Sequence, residues 1–234
     1  MQLDPKAIKS ILKKDDPVVL ELGAHTGLDT RRFLNEFSKI IIYCFEPDPR
    51  CIKAFKNLIK DKRAVLIEAA VSNRDGWAML NMSSGWPSDN ILRHFKFLGL
   101  NKLYISMMGK QWNYSSSIKT VISNATDHPW LIFPSKVKVQ TIQLDLWIKK
   151  NGISAVDFIW SDVQGAEKDV FEGAAETLKI CKYFYTEYGE VSTYPEALTR
   201  EQIVDFFERN NYVLVPEYSS ENKIGNLLFR NMRL

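Results

Sequence analysis

The chain has 234 residues, 45% of them hydrophobic, and its 31 lysines and arginines against 28 acids give a net charge of +3. This size suits one α/β domain with a sizeable core, and the mild charge argues against a dedicated nucleic-acid-binding protein. The three cysteines lack the spacing of a zinc site or a disulfide framework. There is no signal peptide pattern and no apolar run long enough to span a bilayer. We therefore expect a cytoplasmic protein without a metal site.

Hydrophobic periodicity predicts strands that alternate with helices in the first third of the chain. A short amphipathic helix is expected near residues 7–12. The following elements are strands at residues 17–22, 39–46 and 64–71, and helices at residues 26–37 and 48–60. Continuous Val, Ile and Leu runs joined by helices are typical of a parallel sheet that is covered on both faces.

The pattern loses its period from about residue 83 to residue 134. This stretch contains several aromatic and imidazole side chains: Trp86, His94, Trp112, Tyr114, His128 and Trp130. It is too long for an ordinary connection, so we predict a lid or substrate-facing insertion within a single domain of residues 1–234. A small helical hairpin whose aromatic rings pack on the domain is the alternative.

Regular elements return in the last third of the chain. The expected strands lie at residues 136–144, 155–163 and 182–188, and the expected helices at residues 145–150, 166–179 and 200–210. Thr199 and Gln202 form the pattern of a capping box at the start of the last helix. The segments 211–218 and 224–232 have no helix between them, so they should pair as an antiparallel hairpin.

The loop after the first strand reads "ELGAHTG" and is the first candidate binding site. Ligands of doubly wound sheets bind at this position, and Gly23 and Gly27 would let the backbone approach one. Ala24 and His25 lie between them. A dinucleotide fingerprint and a P-loop are both absent. A tight turn between a strand and a helix is the alternative interpretation of the two glycines.

Glu46, at the end of the second strand, decides between these interpretations. It lies about twenty residues beyond Gly27, where a carboxylate accepts hydrogen bonds from two ribose hydroxyls. A nucleoside without a pyrophosphate therefore fits, and S-adenosylmethionine is the cofactor that we predict. Ala70 and Val71 at the end of the third strand would lie beside its adenine, although they could equally be core residues. Glu46 itself could be an ordinary surface acid.

Motifs along the chain resemble those of the FkbM-type methyltransferases. They read "ELGAHTG", "FEPDP", "AAVSNRDG", "SSSI", "VQTIQLDLW" and "DFIWSDVQGAEKDVFEGA". The resemblance implies a Rossmann-like, seven-stranded, mostly parallel sheet of strand order 3-2-1-4-5-7-6 with a C-terminal antiparallel hairpin. It also implies O-methylation of a sugar, glycan or secondary metabolite, with the cofactor at Glu21, Gly23, Gly27, Glu46 and the Ala70–Val71 segment.

Two residues depart from the family pattern. His25 stands where the family usually has Asn, and Gln164 stands where it usually has Glu. The second change removes a possible base or metal ligand and argues against a metal-dependent mechanism.

The base is sought among carboxylates, because the accepting oxygen must lose its proton during methyl transfer. Asp162, at the end of the fourth strand, is the first candidate. It could contact the cofactor's methionine group, the acceptor hydroxyl or both, and capping the next helix is its alternative role. Glu187, on the fifth strand, should point into the same mouth, unless it forms a structural salt bridge. His94 and His128 titrate in a suitable range, but a lone histidine in an irregular segment is more often structural.

Two rival functions remain at this point. An RNA ribose 2′-O-methyltransferase is suggested by "WSDV", but such enzymes place a lysine at the end of the fifth strand, where this chain has "YTEYGE". A silent binding module that retained the fold is the other rival, and the intact Gly23, Gly27, Glu46 and Asp162 argue against it. We therefore expect a small-molecule or glycan acceptor and no nucleic-acid partner.

Overall fold

A computed structural model describes residues 3–85, 112–125, 128, 130–189, 193–222 and 224–234. Most of the predicted insertion, with Trp86 and His94, lies outside the described residues. The elements in chain order are α1 (Pro5–Leu12), β1 (Val18–Leu22), α2 (Leu28–Glu36), β2 (Ile41–Phe45), α3 (Pro49–Leu58), β3 (Ala64–Ile67), β4 (Ala70–Ser72), β5 (Gly76–Gly85), β6 (Leu131–Gln143), α4 (Leu144–Lys150), β7 (Val156–Ser161), α5 (Glu167–Gly173), α6 (Thr177–Ile180), β8 (Cys181–Tyr188), α7 (Arg200–Arg209), β9 (Tyr212–Leu214), a 3-10 turn (Pro216–Tyr218) and β10 (Gly225–Asn231).

A seven-stranded sheet in the order β3-β2-β1-β7-β8-β10-β9 forms the centre of the molecule. Its strands are parallel except β10, which runs antiparallel to both β8 and β9. This arrangement confirms the predicted strand order and the C-terminal hairpin. The capping box at Thr199 is also present, since its hydroxyl accepts from the Gln202 N–H and the Gln202 side chain accepts from the Thr199 N–H.

Both faces of the main sheet are buried, as the continuous apolar strands predicted. On one face Val19 and Phe158 pack with residues of α1, α2 and α3. On the other face Leu20 and Phe184 pack with residues of α4, α5 and α7. No helix among the described residues is long and apolar enough to cross a bilayer.

The predicted third strand, residues 64–71, is two strands. The Ala69 N–H donates to the Ile67 carbonyl (2.9 Å), and this tight turn takes the chain out of the main sheet. The second part, β4, joins a separate three-stranded sheet of order β4-β6-β5. Ser83 ends up in β5, and residues 131–134 belong to β6, so these two strands flank the remainder of the predicted insertion.

The predicted helix at residues 166–179 is also two shorter helices, α5 and α6. Gly173, at the end of α5, lies against β4, where a Cβ would come within 2.2 Å of the Ser72 carbonyl oxygen. The small sheet therefore packs closely on the helix that follows β7. This contact places Ala70 and Val71 beside the carboxyl ends of the central strands.

Candidate active site

The loop between β1 and α2 is held by contacts that only glycine allows. Gly23 has a φ of 86° and Gly27 a φ of 84°. A Cβ on Gly23 would lie 1.9 Å from the Asp162 carbonyl oxygen, and one on Gly27 would lie 2.8 Å from the Phe55 ring. The loop is thus a tight turn packed against its neighbours, and the same packing brings β1 and the end of β7 together at the site.

Glu46 is fixed by backbone groups on both sides. Its Oε2 accepts the His25 N–H and its Oε1 accepts the Asp48 N–H, each at 2.7 Å. The side chain is almost fully buried. Burial raises the pKa of Glu46 to about 7, although the two backbone hydrogen bonds oppose this rise. Glu46 is therefore a positioned carboxylate rather than an ordinary surface acid.

Glu21 lies beneath the loop and not in the cleft. Its Oε2 accepts the Thr30 hydroxyl at 2.5 Å, so the side chain links β1 to α2 inside the core. Burial raises the pKa of Glu21 to about 8, and the Thr30 hydrogen bond opposes the rise. The structure therefore places this predicted cofactor residue below the main chain that faces the cleft.

His25 connects the glycine loop to a later segment of the chain. Its φ is 50°, a left-handed conformation in which His and Asn are enriched among the larger residues. Its Nε2 lies 3.1 Å from Asn113 Oδ1, and its ring packs on Tyr114 with a centroid distance of 4.1 Å. Burial lowers the pKa of His25, so the ring is neutral near pH 7.

Residues 112–119 form one wall of the site and are anchored to the start of α3. The buried Asp48 carboxylate accepts from the Arg50 guanidinium (2.6 Å) and from the Ser116 hydroxyl (2.9 Å). Arg50 also donates to the Ser83 carbonyl oxygen at 2.9 Å. The guanidinium also donates to the Ser116 hydroxyl at 3.1 Å. Because it hydrogen-bonds three groups at once, this arrangement fixes the wall against the end of β5.

Two carboxyl groups meet beyond the end of β7. Asp162 is exposed in the cleft, and Gln164 Nε2 donates to its Oδ1 at 2.6 Å and to Glu187 Oε2 at 3.1 Å. The Asp162 N–H donates to the Leu22 carbonyl oxygen (2.9 Å), which ties it to β1. The cleft walls around Asp162 displace part of its solvent and raise its pKa, while its side-chain contacts with Gln164 and Glu187 oppose the rise.

The alternative role for Asp162, capping a helix, is wrong. Helix α5 begins at Glu167, after Ala166 as its N-cap residue, and no side chain caps it. The carboxylate of Asp162 is therefore available to a ligand in the cleft.

The candidate base His128 lies against Trp130, with ring centroids 5.8 Å apart, and is absent from the cleft lining.

A cleft of about 960 Å³, which includes its solvent-filled mouth, joins these groups. Its lining includes many of the predicted site residues: Gly23, Ala24, His25, Glu46, Ala70, Val71 and Asp162. Among the predicted residues, Glu21, Gly27 and Glu187 do not line it. Glu187 lies on the other side of Gln164, where it lines a smaller cavity of about 220 Å³.

The comparisons with known proteins agree with the motifs and the fold. The family model described as the methyltransferase FkbM domain matches residues 21–214. The chain belongs to the FkbM methyltransferase family. It is accordingly a methyltransferase of the S-adenosylmethionine-dependent class, as its motifs predict. A curated relative, the 2-O-methyltransferase NoeI of Sinorhizobium fredii (strain NBRC 101917 / NGR234), is 34% identical over 230 residues, which are 98% of this chain and 85% of that protein.

Solved structures similar to this FkbM methyltransferase are distant in sequence. An rRNA methylase from Streptococcus thermophilus is 8% identical with a TM-score of 0.47, and the match covers 99% of this chain and 98% of that chain. Precorrin-6y C5,15-methyltransferase from Geobacter metallireducens GS-15 is 11% identical with a TM-score of 0.44, over 96% of this chain and 86% of that chain. At these scores the likenesses carry no argument about the substrate.

Several residues of this FkbM methyltransferase line the cleft but are not among the site residues predicted from the sequence. Asn113, Tyr114, Trp160 and Gln164 line the cleft. The irregular sequence pattern around residues 112–119 does not predict the positions of Asn113 and Tyr114, because contacts with α3 and the glycine loop determine them. Gln164 has a φ of 52°.

Proposed function

We propose that this methyltransferase transfers the methyl group of S-adenosylmethionine to a hydroxyl oxygen of a sugar, glycan or hydroxylated secondary metabolite. The observation that carries the proposal is the exposed Asp162 carboxylate in the same cleft as the fixed Glu46 carboxylate. The relative named as a 2-O-methyltransferase supports oxygen as the accepting atom.

The residues in the cleft fit S-adenosylmethionine. Each oxygen of Glu46 accepts one backbone N–H and retains lone-pair capacity for a ribose hydroxyl. Apolar side chains beside it give a surface for an adenine ring: Phe45, Val71, Leu80 and Ile118. We assign the methionine end to Gly23, Ala24 and the region of Asp162.

The bound cofactor would supply an electrophilic methyl group on a sulfonium. The chain's own contribution is to hold the accepting oxygen in line with that group, which can account for most of the acceleration. A base adds a further factor of about 10²–10⁴. Asp162 is the residue that we assign to the hydroxyl proton, since His25 is occupied by Asn113 and Tyr114.

The Asp162 assignment has a consequence for pH. A carboxylate can accept a proton only in its ionised form, and the surroundings raise the pKa of Asp162 above its ordinary value. Activity should therefore rise with pH through this raised pKa and level off above it. Glu187, one strand away, is assigned to the support of Asp162 and not to the hydroxyl itself.

A neutral or mildly charged acceptor suits this cleft better than RNA. The net charge is only +3, and the carboxylate of Glu187 occupies the strand position where RNA ribose methyltransferases place a lysine. A sugar or small hydroxylated metabolite would bring no phosphate charges toward the carboxylates of Asp162 and Glu187.

The experiment is a methyl-transfer assay with S-adenosylmethionine across glycans and small hydroxylated metabolites, with product analysis to locate the new methyl group. We expect an O-methyl product, and a kcat lower by about 10²–10⁴ in Asp162→Asn. Calorimetry with S-adenosylhomocysteine should give an affinity for Asp162→Asn within about tenfold of the wild type, because Glu46 and the loop are unchanged.

A methyl group found on nitrogen, sulfur or carbon would contradict the proposed acceptor. Full activity of Asp162→Asn would contradict the proposed base. An exposed acid remote from the cleft, Asp205 on α7, provides the matched control, and Asp205→Asn should be indistinguishable from the wild type in both measurements.

A further inference from the structure

Gln164 joins the two carboxyl groups at the end of β7 through one amide nitrogen. Its Nε2 is 2.6 Å from Asp162 Oδ1 and 3.1 Å from Glu187 Oε2. An amide NH₂ group has two protons, so it can donate to both carboxylates at once.

The orientation of this amide is determined by the two carboxyl groups that it faces. On its other side the Tyr194 hydroxyl lies 2.8 Å from Gln164 Oε1, although the Ser115 carbonyl oxygen competes for its one proton. The opposite orientation would aim an amide oxygen at two carboxylates. The network therefore assigns the NH₂ group to Asp162 and Glu187.

The backbone of Gln164 is fixed as well. The Ser117 hydroxyl donates to its carbonyl oxygen at 2.6 Å, and its φ of 52° is held by the turn into Gly165. A Cβ on Gly165 would come within 2.6 Å of Tyr194, so the tyrosine packs directly on this turn. The hydroxyl of Tyr194 also lies 2.8 Å from the Ser115 carbonyl oxygen.

We propose that Gln164 is a positioning residue whose amide holds Asp162 and Glu187 side by side and so presents Asp162 to the acceptor hydroxyl. The inference rests on the proposed function, because it gives Gln164 its role through Asp162. Neither Gln164 nor Tyr194 takes part in the transfer itself.

The physical reason is that two neighbouring carboxyl groups share a proton more readily than they ionise together. A donor that faces both of them stabilises the ionised form of Asp162. Charged or titratable groups from several elements act on Asp162: Glu187 on β8, His25 and Glu46 at the loops after β1 and β2, Asp29 on α2 and Tyr185 on β8. Burial is the main cause of the raised pKa of Asp162, and the hydrogen bond from the Gln164 amide opposes it.

Replacement by an acid tests this role directly. Gln164→Glu keeps the length of the side chain, removes both donors and adds a third carboxylate to the pair. We expect the titration midpoint of Asp162 to rise by about one pH unit in this variant. Tyr194→Phe leaves the amide in place but removes the hydroxyl that contacts its Oε1, so it should shift the midpoint in the same direction by less.

The measurement is carbon-13 NMR of labelled Asp and Glu carboxyl groups in the free protein, assigned with Asp162→Asn. This readout does not depend on a methyl acceptor. The pH–kcat profile with the best acceptor is the second readout, and its acidic limb should move upward together with the NMR midpoint. Raising the pH should restore much of the activity of Gln164→Glu, which a purely structural defect would not allow.

Unchanged Asp162 midpoints in both variants would overturn the inference, even if methyl transfer were slower. A shifted midpoint with an unshifted kcat profile would overturn it also, because Asp162 would then not act on the hydroxyl. If the wild type methylated no hydroxyl while the midpoint shifted, the proposed function would fail and the electrostatic role would stand. Gln140→Glu, on the exposed side of β6, adds the same charge elsewhere and should leave the Asp162 midpoint unchanged.

Discussion

The two ends of the cleft are held by different kinds of interaction. At the end assigned to the cofactor, main-chain groups do most of the positioning. The Gly23 and Ala24 N–H groups donate to the Phe45 carbonyl oxygen at 2.9 and 3.0 Å, and backbone N–H groups hold both oxygens of Glu46. At the end assigned to the acceptor, the side chains of Asp162, Gln164 and Glu187 hold one another.

This difference bears on how each end can vary. A main-chain arrangement depends on glycines and strand ends, and it tolerates many side chains as long as the backbone path is kept. A side-chain network can be re-tuned by one substitution without a change of backbone. We infer that the first end preserves a common ligand and that the second end adapts to the acceptor.

The largest effect is expected for Gly23→Ala, which disrupts the main-chain contacts at the end assigned to the cofactor. The new Cβ would lie 1.9 Å from the Asp162 carbonyl oxygen at a φ of 86°, so the loop and the end of β7 must separate. We expect a loss of roughly 3 kcal/mol or more in the free energy of unfolding. Binding of S-adenosylhomocysteine should be lost. Thermal unfolding and calorimetry measure the two effects.

Gly152→Ala is the matched control for this experiment. Gly152 also has a positive φ, 65°, but a Cβ there would meet nothing within 4 Å. It should cost only the left-handed backbone conformation, about 1 kcal/mol, and leave ligand binding intact. Equal losses in the two variants would show that backbone strain, and not the close approach to Asp162, explains the result.

The main-chain end is also the part that the sequence predicts well. The glycine loop and Glu46 follow directly from two buried strands, so strand periodicity places them at the same edge of the sheet. The order of seven strands, which the family resemblance implied, is confirmed as well. The single long third strand is wrong, because the turn at Ala69 depends on pairing with a part of β6 that lies 71 residues later, as in the pair Ala70 and Thr141.

The side-chain end could be predicted only in part. Asp162 and Glu187 are recognisable as acids near strand ends, but the amide between them and the hydroxyl of Tyr194 come from a left-handed turn and from a later loop. Local patterns carry no information about such contacts. The same holds for Glu21. Its place near the end of β1 suggests a residue of the cleft, but its side chain accepts a hydrogen bond from Thr30 inside the core.

Glu46→Gln tests whether the main-chain end binds ribose hydroxyls through a charged acceptor. Hydrogen bonds to charged groups contribute about 1.5–3 kcal/mol, so affinity for S-adenosylhomocysteine should fall roughly 10–100-fold. Burial raises the pKa of Glu46 to about 7. Affinity of the wild type should therefore increase between pH 6 and pH 8 as the carboxylate ionises, and the variant should lose this increase.

The control is Glu68, an exposed residue between β3 and β4 that forms an ion pair with Lys56 of α3. Glu68→Gln should leave both the affinity and its pH dependence at the wild-type level. Wild-type affinity in Glu46→Gln would contradict the placement of the ribose at Glu46 and the assignment of this end of the cleft to the cofactor.

Glu21→Gln is expected to give the smallest effect, and it tests the core beneath the main-chain end. Burial raises the folded-state pKa of Glu21 to about 8, above its ordinary value of 4.5. The folded state therefore favours the protonated acid, and the stability associated with this group is present below pH 4.5 and is lost as the pH rises through about 8. The neutral variant cannot lose a proton, so its melting temperature should fall less than that of the wild type between pH 5 and pH 9.

The control is Glu208→Gln, exposed on α7, which should follow the wild-type curve of melting temperature against pH. Parallel curves for Glu21→Gln and the wild type would mean that Glu21 is ionised in the folded protein, and that the Thr30 hydroxyl compensates for its burial.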